Sequence, residues 1–428
     1  MKPERPPSAR AAMVRAQRTA LIIVLSIFVG SWVIVGLLLA PAVGGWRTIA
    51  AAIVLLTVVP LAIFFRSRGS GHYPGKAIRL FVFRPMWYAQ LLLILSALGG
   101  LLGAIAGAPF GAAGIAGRTT IAIVAALFAV LGVLGYAGSR RFVALPLTVT
   151  IPTLPAGLEG LRIALICDMH IGPHSSRAHL ARVAAAVREA SPDLIAVAGD
   201  LIDDYAPDVS LYAEALGDLS APLGVYIIAG NHEVYAGWDE VLARLRALTH
   251  TVLVNESRIV DHRGERLAIA GTGDPAAGRR PGPGAPAPDI AATLADIPDG
   301  MFTVALAHNP ALWPPLASAD VPLTLSGHTH WGQLSINPAG WSLANSFLEH
   351  AMGEYRRGES LLYVSPGTNY WGIPFRLGAR AEVTILTLAR GAAAGIVGAQ
   401  SFDARATGAN KSKLTRTDST DTNGNDTF

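Results

Sequence analysis

Residues 19–43, TALIIVLSIFVGSWVIVGLLLAPAV, run for 25 positions without a charge. A stretch of that length and polarity is stable as a helix in a bilayer, where about 20 apolar residues cross the hydrocarbon core and a helix satisfies its own backbone hydrogen bonds. Residues 48–65, 86–108 and 119–136 are three further apolar stretches, so four transmembrane helices are expected. The second and fourth lie near the lower length limit. A cleaved signal peptide fits the first stretch poorly, because it is too long and three others follow it. None of the four contains an internal Asp, Glu, Lys or His, which argues against an ion or proton path through them.

Charge divides the chain at the same place. The whole has 34 Lys and Arg against 30 Asp and Glu, a net of +4. Residues 1–146 hold 14 of the basic residues and one acid, Glu4, whereas the remainder holds 20 basic and 29 acidic residues. The basic residues sit in the N-terminal tail (Lys2, Arg5, Arg10, Arg15, Arg18), between the second and third stretches (Arg66, Arg68, Lys76, Arg79, Arg84), and after the fourth (Arg140, Arg141). Positive loops stay cytoplasmic, so the chain beyond the fourth span is expected in the cytoplasm, as part of a multi-pass protein in the cell membrane. The basic total is thus a topology signal, and no nucleic acid partner is indicated. Only 15% of residues are charged and 51% are hydrophobic, which excludes chain-wide disorder. One cysteine, Cys167, excludes an intrachain disulfide and a Cys-based zinc module; inside an apolar run it is expected to be a small core residue.

From 147 to 392 short apolar runs alternate with helical segments. Strands are expected at 161–168, 193–200, 224–231, 251–254, 266–271, 302–308, 321–326, 361–365 and 381–388, with helices near 179–192, 211–219 and 238–248. Continuous apolar strands imply a sheet covered on both faces, and the alternation implies α/β organisation. Residues 274–290 are a Pro/Gly-rich insertion, expected as a surface loop. The expected domains are a membrane region at 1–146, an α/β domain at 147–392 and a disordered tail at 393–428.

Polar residues with metal affinity collect where these strands end. Asp168 and His170 are spaced i, i+2, and so are His328 and His330; on an extended backbone such pairs share a side. Asp200 ends the second strand, Asn231 and His232 the third, and His308 the strand FTVALA. In open α/β sheets the carboxyl ends of strands form the ligand crevice. Any one of these residues is explained as a turn former or a core histidine. The set is not, with Gly199, Gly230 and Gly327 leaving room for the backbone. His174, His179, His250, His262 and His350 have no such placement.

The ordered blocks Asp168-Met169-His170, Gly199-Asp200-Leu201-Ile202-Asp203, Gly230-Asn231-His232-Glu233, His308 and Gly327-His328-Thr329-His330 resemble those of the calcineurin-like metallophosphoesterases. Val364-Ser365-Pro366-Gly367-Thr368 and Pro374-Phe375-Arg376-Leu377 extend the resemblance toward residue 388, and it is strongest to the membrane-anchored bacterial branch, similar to UDP-diacylglucosamine pyrophosphohydrolases. The resemblance implies a four-layer αββα sandwich. It also implies two divalent metal ions, one held by Asp168, His170, Asp200 and His330, the other by Asp200, Asn231, His308 and His328, with Asp200 bridging. His232 is implied as the transition-state stabiliser or proton donor. Two cations about 3.5–4 Å apart clamp the oxygens of an in-line phosphoryl displacement, and mixed imidazole and carboxylate ligands suit Mn, Fe or Zn. Asp203 is expected to orient a neighbouring histidine, with helix capping as the alternative.

For the substrate, Arg279 and Arg280 on the Pro/Gly loop could approach a phosphate, against a plain solvated pair. Trp331, Tyr370, Trp371, Ile373 and Phe375 place bulky groups beside the motifs, and Trp and Tyr favour membrane interfaces. A phosphodiester or pyrophosphate in a lipid-linked substrate is the expectation. The alternatives are a soluble phosphorylated substrate and a non-catalytic sensor that keeps the domain.

Overall fold

The computed structural model describes residues 9–69, 74–172, 175–277, 285–336 and 339–398. It divides into two compact units, Met1–Val133 and Leu134–Phe428.

The first unit is helical. Trp46–Ser67, Lys76–Phe110 and Ala113–Ser139, the last continuing into the second unit, are long and apolar enough to cross a membrane, and Leu25–Leu39 is a shorter apolar stretch within a helix spanning Ala9–Leu39. Three membrane-length helices are therefore described where four spans were expected, the first expected span being represented by the shorter stretch. The expected second span, near the length limit in sequence, is extended at both ends by Trp46 and Ser67. Large apolar side chains such as Leu55, Leu102 and Val133 point outward, as they do on helices whose solvent is lipid.

The second unit is built on strands β1 (Phe142–Ile151), β2 (Arg162–Ile166), β3 (Leu194–Ala198), β4 (Val225–Ile228), β5 (Thr251–Leu253), β6 (Glu256–His262), β7 (Glu265–Gly271), β8 (Thr303–Leu306), β9 (Leu323–Ser326), β10 (Ser335–Ile336), β11 (Trp341–Ser342), β12 (Gly353–Arg357), β13 (Ser360–Val364), β14 (Ala381–Arg390) and β15 (Gly395–Gly398). One sheet has the order β15-β1-β14-β2-β3-β4-β5 and the other β12-β13-β9-β8-β7-β6. Alternation along each strand assigns side chains to layers. Leu165, Ala196 and Ile228 face Ile269, Leu306 and Leu325 between the sheets. Ala164, Ile166, Ile195 and Val197 pack under the helices Arg177–Ala190, Val209–Leu216 and Asn231–Leu245. On the far side of the second sheet, Ala270 and Ala305 meet Leu316. The result is the expected four-layer α/β sandwich. Cys167 is fully buried in the central layer, and its thiol is held well above its usual range by burial first and by Asp168 second.

Two boundaries differ from the expected ones. β1 begins at Phe142, so the expected boundary at 146/147 falls inside a strand, and β15 lies in the segment expected as tail. Pro146, which in sequence disfavours a strand, sits just outside the 147–150 stretch that β15 covers, leaving one side of β1 open there. Residues 399–428 of the expected tail, and Arg279 and Arg280, lie outside the described residues.

Candidate metal centre

The strands β2, β3, β4, β8 and β9 release their chains toward one end of the sandwich, and the seven expected ligands converge there. His170 Nε2 lies 3.0 Å from His330 Nε2, which is 3.5 Å from Asp168 Oδ1. Asp200 Oδ2 lies 3.7 Å from His170 Nε2 and 3.2 Å from His308 Nε2. Asn231 Oδ1 is 3.2 Å from His308 Nε2 and 2.8 Å from His328 Nδ1. Two donors about 2.1 Å from one ion stand about 3.0 Å apart at right angles and about 3.4 Å apart in a tetrahedron. These separations are those of the edges of coordination polyhedra, and Asp200 Oδ2 sits between the two groups. Asp168–His170–His330 and Asp200–His308–His328 are each compact enough to hold a cation.

The backbone is bent to achieve this. Asp168, His170, Asp200, His328 and His330 all have φ between +43° and +72°, a region that non-glycine residues enter rarely and that tends to mark functional sites. Close approach of the chains needs glycine at two points. A Cβ on Gly230 would overlap the Asp200 carboxylate, and one on Gly327 would overlap that of Asp168.

Protonation follows the surroundings. His170 is held well below its usual range by burial and then by His232, and His330 by burial and then by Arg376; both present neutral rings. Burial opposes ionisation of Asp200, but His308, His232 and His170 hold its carboxyl well below the usual range. Burial also raises Asp168, to about 6. His308 donates from Nδ1 to Ala198 O at 2.8 Å, which turns Nε2 toward Asp200; burial opposes its charge, but Asp200 and Asp168 hold it well above its usual range. The donor set, imidazole nitrogens with carboxylate and amide oxygens, fits a borderline divalent cation.

His232 stands beside the cluster with its ring centroid 4.6 Å from that of His170. Burial alone would lower it; a hydrogen bond to Asp204 and the charges of Asp200, Asp204 and Asp203 push it up to about 10. Asp203 Oδ1 lies 3.7 Å from His170 Nδ1 and 3.9 Å from His232 Nδ1, and Asp204 Oδ1 lies 3.3 Å from His232 Nδ1. The carbonyl of Asp203 also accepts from His232 Nδ1.

Of the expected substrate residues, Trp371 is 49% exposed, with its ring 6.1 Å from that of His232. Trp331 is a correction. It is buried against Met352 and Ala379, and its indole N–H donates to Val364 O at 3.0 Å, so it packs the core beneath the site. His179, His250 and His350 are buried away from the cluster.

Two fully buried charged groups were not singled out from sequence. Glu233 accepts backbone N–H bonds from Asp200 (2.8 Å) and Gly230 (2.7 Å) on Oε2 and from Leu201 (2.8 Å) and Ile202 (3.2 Å) on Oε1. It thereby clamps the turn that carries Asp200 to the turn before Asn231. In sequence it reads as an ordinary acid in a helix's first turn. Arg376 donates to Pro366 O at 2.7 Å, to Ala379 O at 3.1 Å and to Asn369 O, and its Nη2 lies 3.2 Å from His330 Nδ1. In sequence it stands in the Pro374-Phe375-Arg376-Leu377 block that extends the resemblance, but nothing there assigns it a buried place behind a ligand.

Residues 161–332 match the family model "Calcineurin-like phosphoesterase". An uncharacterized metallophosphoesterase of Aquifex aeolicus is 30% identical over 243 residues, which are 56% of this chain and 89% of that protein. The chain is a calcineurin-like metallophosphoesterase. It is also 35% identical over 253 residues to a zebrafish (Danio rerio) "transmembrane protein with metallophosphoesterase domain", covering 56% of each chain. A metallophosphoesterase of Campylobacter jejuni is 35% identical over 242 residues, 56% of this chain and 61% of that one. The metallophosphoesterase thus spans little more than half the length of these two relatives.

Proposed function

We propose that the protein is a membrane-tethered, metal-dependent phosphoesterase that hydrolyses a phosphodiester or pyrophosphate bond, in a lipid-linked substrate, on the cytoplasmic side of the membrane. The observation that carries the reading is the convergence of all seven candidate ligands, Asp168, His170, Asp200, Asn231, His308, His328 and His330, into two adjoining groups that share Asp200. Bound there, two divalent cations would supply charge neutralisation and alignment for an in-line displacement at phosphorus. The chain's own residues do the rest. Glu233 and the glycine turns hold the ligands before substrate arrives, and this preorganisation is what electrostatic catalysis needs. His232, kept protonated by Asp204 and Asp203, can donate its Nε2 proton to the departing oxygen or stabilise charge on the phosphoryl group. Trp371 walls the approach to His232.

The lipid-linked part of the reading rests on the membrane helices, on Trp371 at the site and on the basic residues flanking the apolar spans. The test uses the full chain in detergent with added Mn²⁺ and bis-p-nitrophenyl phosphate. Hydrolysis is expected, abolished in Asp200→Ala and reduced about 10²–10⁴-fold in His232→Ala. Undiminished hydrolysis in Asp200→Ala overturns the two-ion assignment. A lipid-linked pyrophosphate in mixed micelles should be a better substrate than the soluble diester, with Trp371→Ala raising its KM more than that of the diester. Equal turnover of both, with no effect of Trp371→Ala on either, favours a tethered enzyme for soluble substrates.

A further inference from the structure

Beyond residue 139, nine large apolar side chains are exposed among the described residues, and six of them fall in one place. They are Ile336 (56% exposed), Trp341 (38%), Leu343 (41%), Phe347 (79%), Leu348 (39%) and Trp371 (49%). Ile336 and Trp341 are cross-strand partners in the β10–β11 pair. Gln333 joins this excursion to the Trp371 loop, its Nε2 donating to Trp371 O at 3.0 Å and its Oε1 accepting from Trp371 N at 2.9 Å. Ser335 N donates to Leu377 O and Leu377 N to Gln333 O, each at 2.9 Å. The two loops therefore form one rim beside His232.

The six side chains carry no charge, and the exposed Glu349 marks the edge of the patch beside Leu348. Residues 331–348 and 360–375 contain no Asp, Glu, Lys or Arg, although the remainder of the unit is well charged. An exposed apolar patch of this kind marks a binding surface. A protein partner is met by a patch with a polar, solvated rim, whereas lipid excludes charge and takes Trp and Phe at its interface. Within the same unit, Arg376 N donates to Gly135 O at 2.8 Å, and the Phe375 ring packs on Gly135. Gly135 lies in the last turns of the helix Ala113–Ser139, which is long and apolar enough to cross a membrane. The Trp371 loop is thus bonded, inside its own unit, to the turns that leave the last apolar span, and a bilayer is the apolar phase that a chain with such spans meets.

We propose that Ile336, Trp341, Leu343, Phe347, Leu348 and Trp371 form a lipid-docking rim that inserts at the bilayer surface and sets the candidate catalytic face against it. The rim deepens the lipid-linked reading, but its test does not depend on turnover. In the full chain, Phe347→Cys or Ile336→Cys is labelled with the environment-sensitive dye NBD; Cys167 is fully buried and stays unlabelled. Ile259→Cys, on β6, is the exposed control. The protein is placed in nanodiscs of phosphatidylcholine and phosphatidylglycerol. At 347 and 336 the emission is expected to shift to the blue, to lose intensity to lipids carrying a doxyl group just below the headgroup, and to resist aqueous iodide. The label at 259 should show the reverse. Labels at 347 and 336 that behave like 259 overturn the proposal. So does a blue shift that ignores doxyl lipid and grows with the number of chains per disc, which assigns the rim to a second copy of the protein. Because hydrolysis is not read, a wrong substrate assignment leaves this result standing, and a wrong rim leaves the phosphoesterase reading standing.

Discussion

Glu233→Gln tests whether the metal centre is held by the clamp beneath it. The carboxylate is fully buried and takes four backbone N–H bonds, two on each oxygen. Glutamine has the same shape but one acceptor oxygen. However the amide is turned, either the Asp200 and Gly230 donors or the Leu201 and Ile202 donors then face an NH₂ group. Hydrogen bonds to a charged acceptor contribute about 1.5–3 kcal/mol each, and buried donors left unpaired cost a similar amount. Against this, burial and the Asp200 charge push the Glu233 carboxyl up to about 7, a cost the neutral amide is spared, so the substitution should cost roughly 1–3 kcal/mol net. At about 2–4 °C per kcal/mol for a domain of this size, the melting temperature of the second unit should fall by roughly 2–12 °C. Retention of Mn²⁺ should fall by about 10–100-fold, as when partners behind metal ligands are removed. Differential scanning fluorimetry and metal analysis of the full chain in detergent read both quantities. Glu240→Gln, on the same helix but solvent-exposed and paired with Arg244 at 2.7 Å, is the control and should change neither, since exposed pairs are worth little. A Glu233→Gln protein with unchanged melting and metal content would refute the clamp.

Gly327→Ala places a methyl group against the Asp168 carboxylate and 2.8 Å from Cys167 Sγ; the displaced ligand should cost at least one metal equivalent, read by mass spectrometry of dialysed protein, while Gly300→Ala in open space should cost none. Glu382 predicts a pH dependence of stability. Burial pushes its carboxyl up to about 7 from 4.5, although Tyr363 and Thr384 donate to Oε1 at 2.7 and 2.8 Å. Below pH 4.5 the folded and unfolded chains both carry the proton; between 4.5 and 7 the folded chain binds more, so stability is lost as pH rises and the full loss of about 3 kcal/mol is reached above 7. Glu382→Gln should therefore unfold at higher urea than wild type at pH 8 and at the same urea near pH 4.5; equal midpoints at pH 8 would contradict the assignment. Arg376→Met strands three buried carbonyls and should destabilise the second unit by about 3–5 kcal/mol, visible in the same urea titration.

Much of the site was legible because its chemistry is concentrated at strand ends. Asp168, Asp200, Asn231, His308 and His328 each follow an apolar run, and a parallel sheet gathers such ends without further information. What joins them was not legible. Five candidate ligands adopt left-handed backbone conformations, which Asp and His enter more often than other non-glycine residues but still rarely, so the side chains meet through strained turns and not through the simple i, i+2 alternation of a strand. His232 Nδ1 faces both the Asp203 carbonyl and the Asp204 carboxylate, a division of labour that two neighbouring acids do not announce in sequence. Trp331 looked like a substrate contact because it follows the His328–His330 motif. Its own positive φ of 52° instead turns the ring into the core. β15 was hidden because four residues, two of them glycines, acquire strand structure only from pairing with β1. The apolar helices needed no such context, since length and absence of charge mark them, but three of membrane length are described where four were expected.

The central claim is that one carboxylate, Asp200, serves two cations. Metal content of the full chain after loading with Mn²⁺ and removal of excess ion tests it directly. The wild type should retain two ions per chain, and Asp200→Ala, folded by circular dichroism, should lose both; two ions retained in Asp200→Ala, or fewer than two in the wild type at saturation, would contradict it.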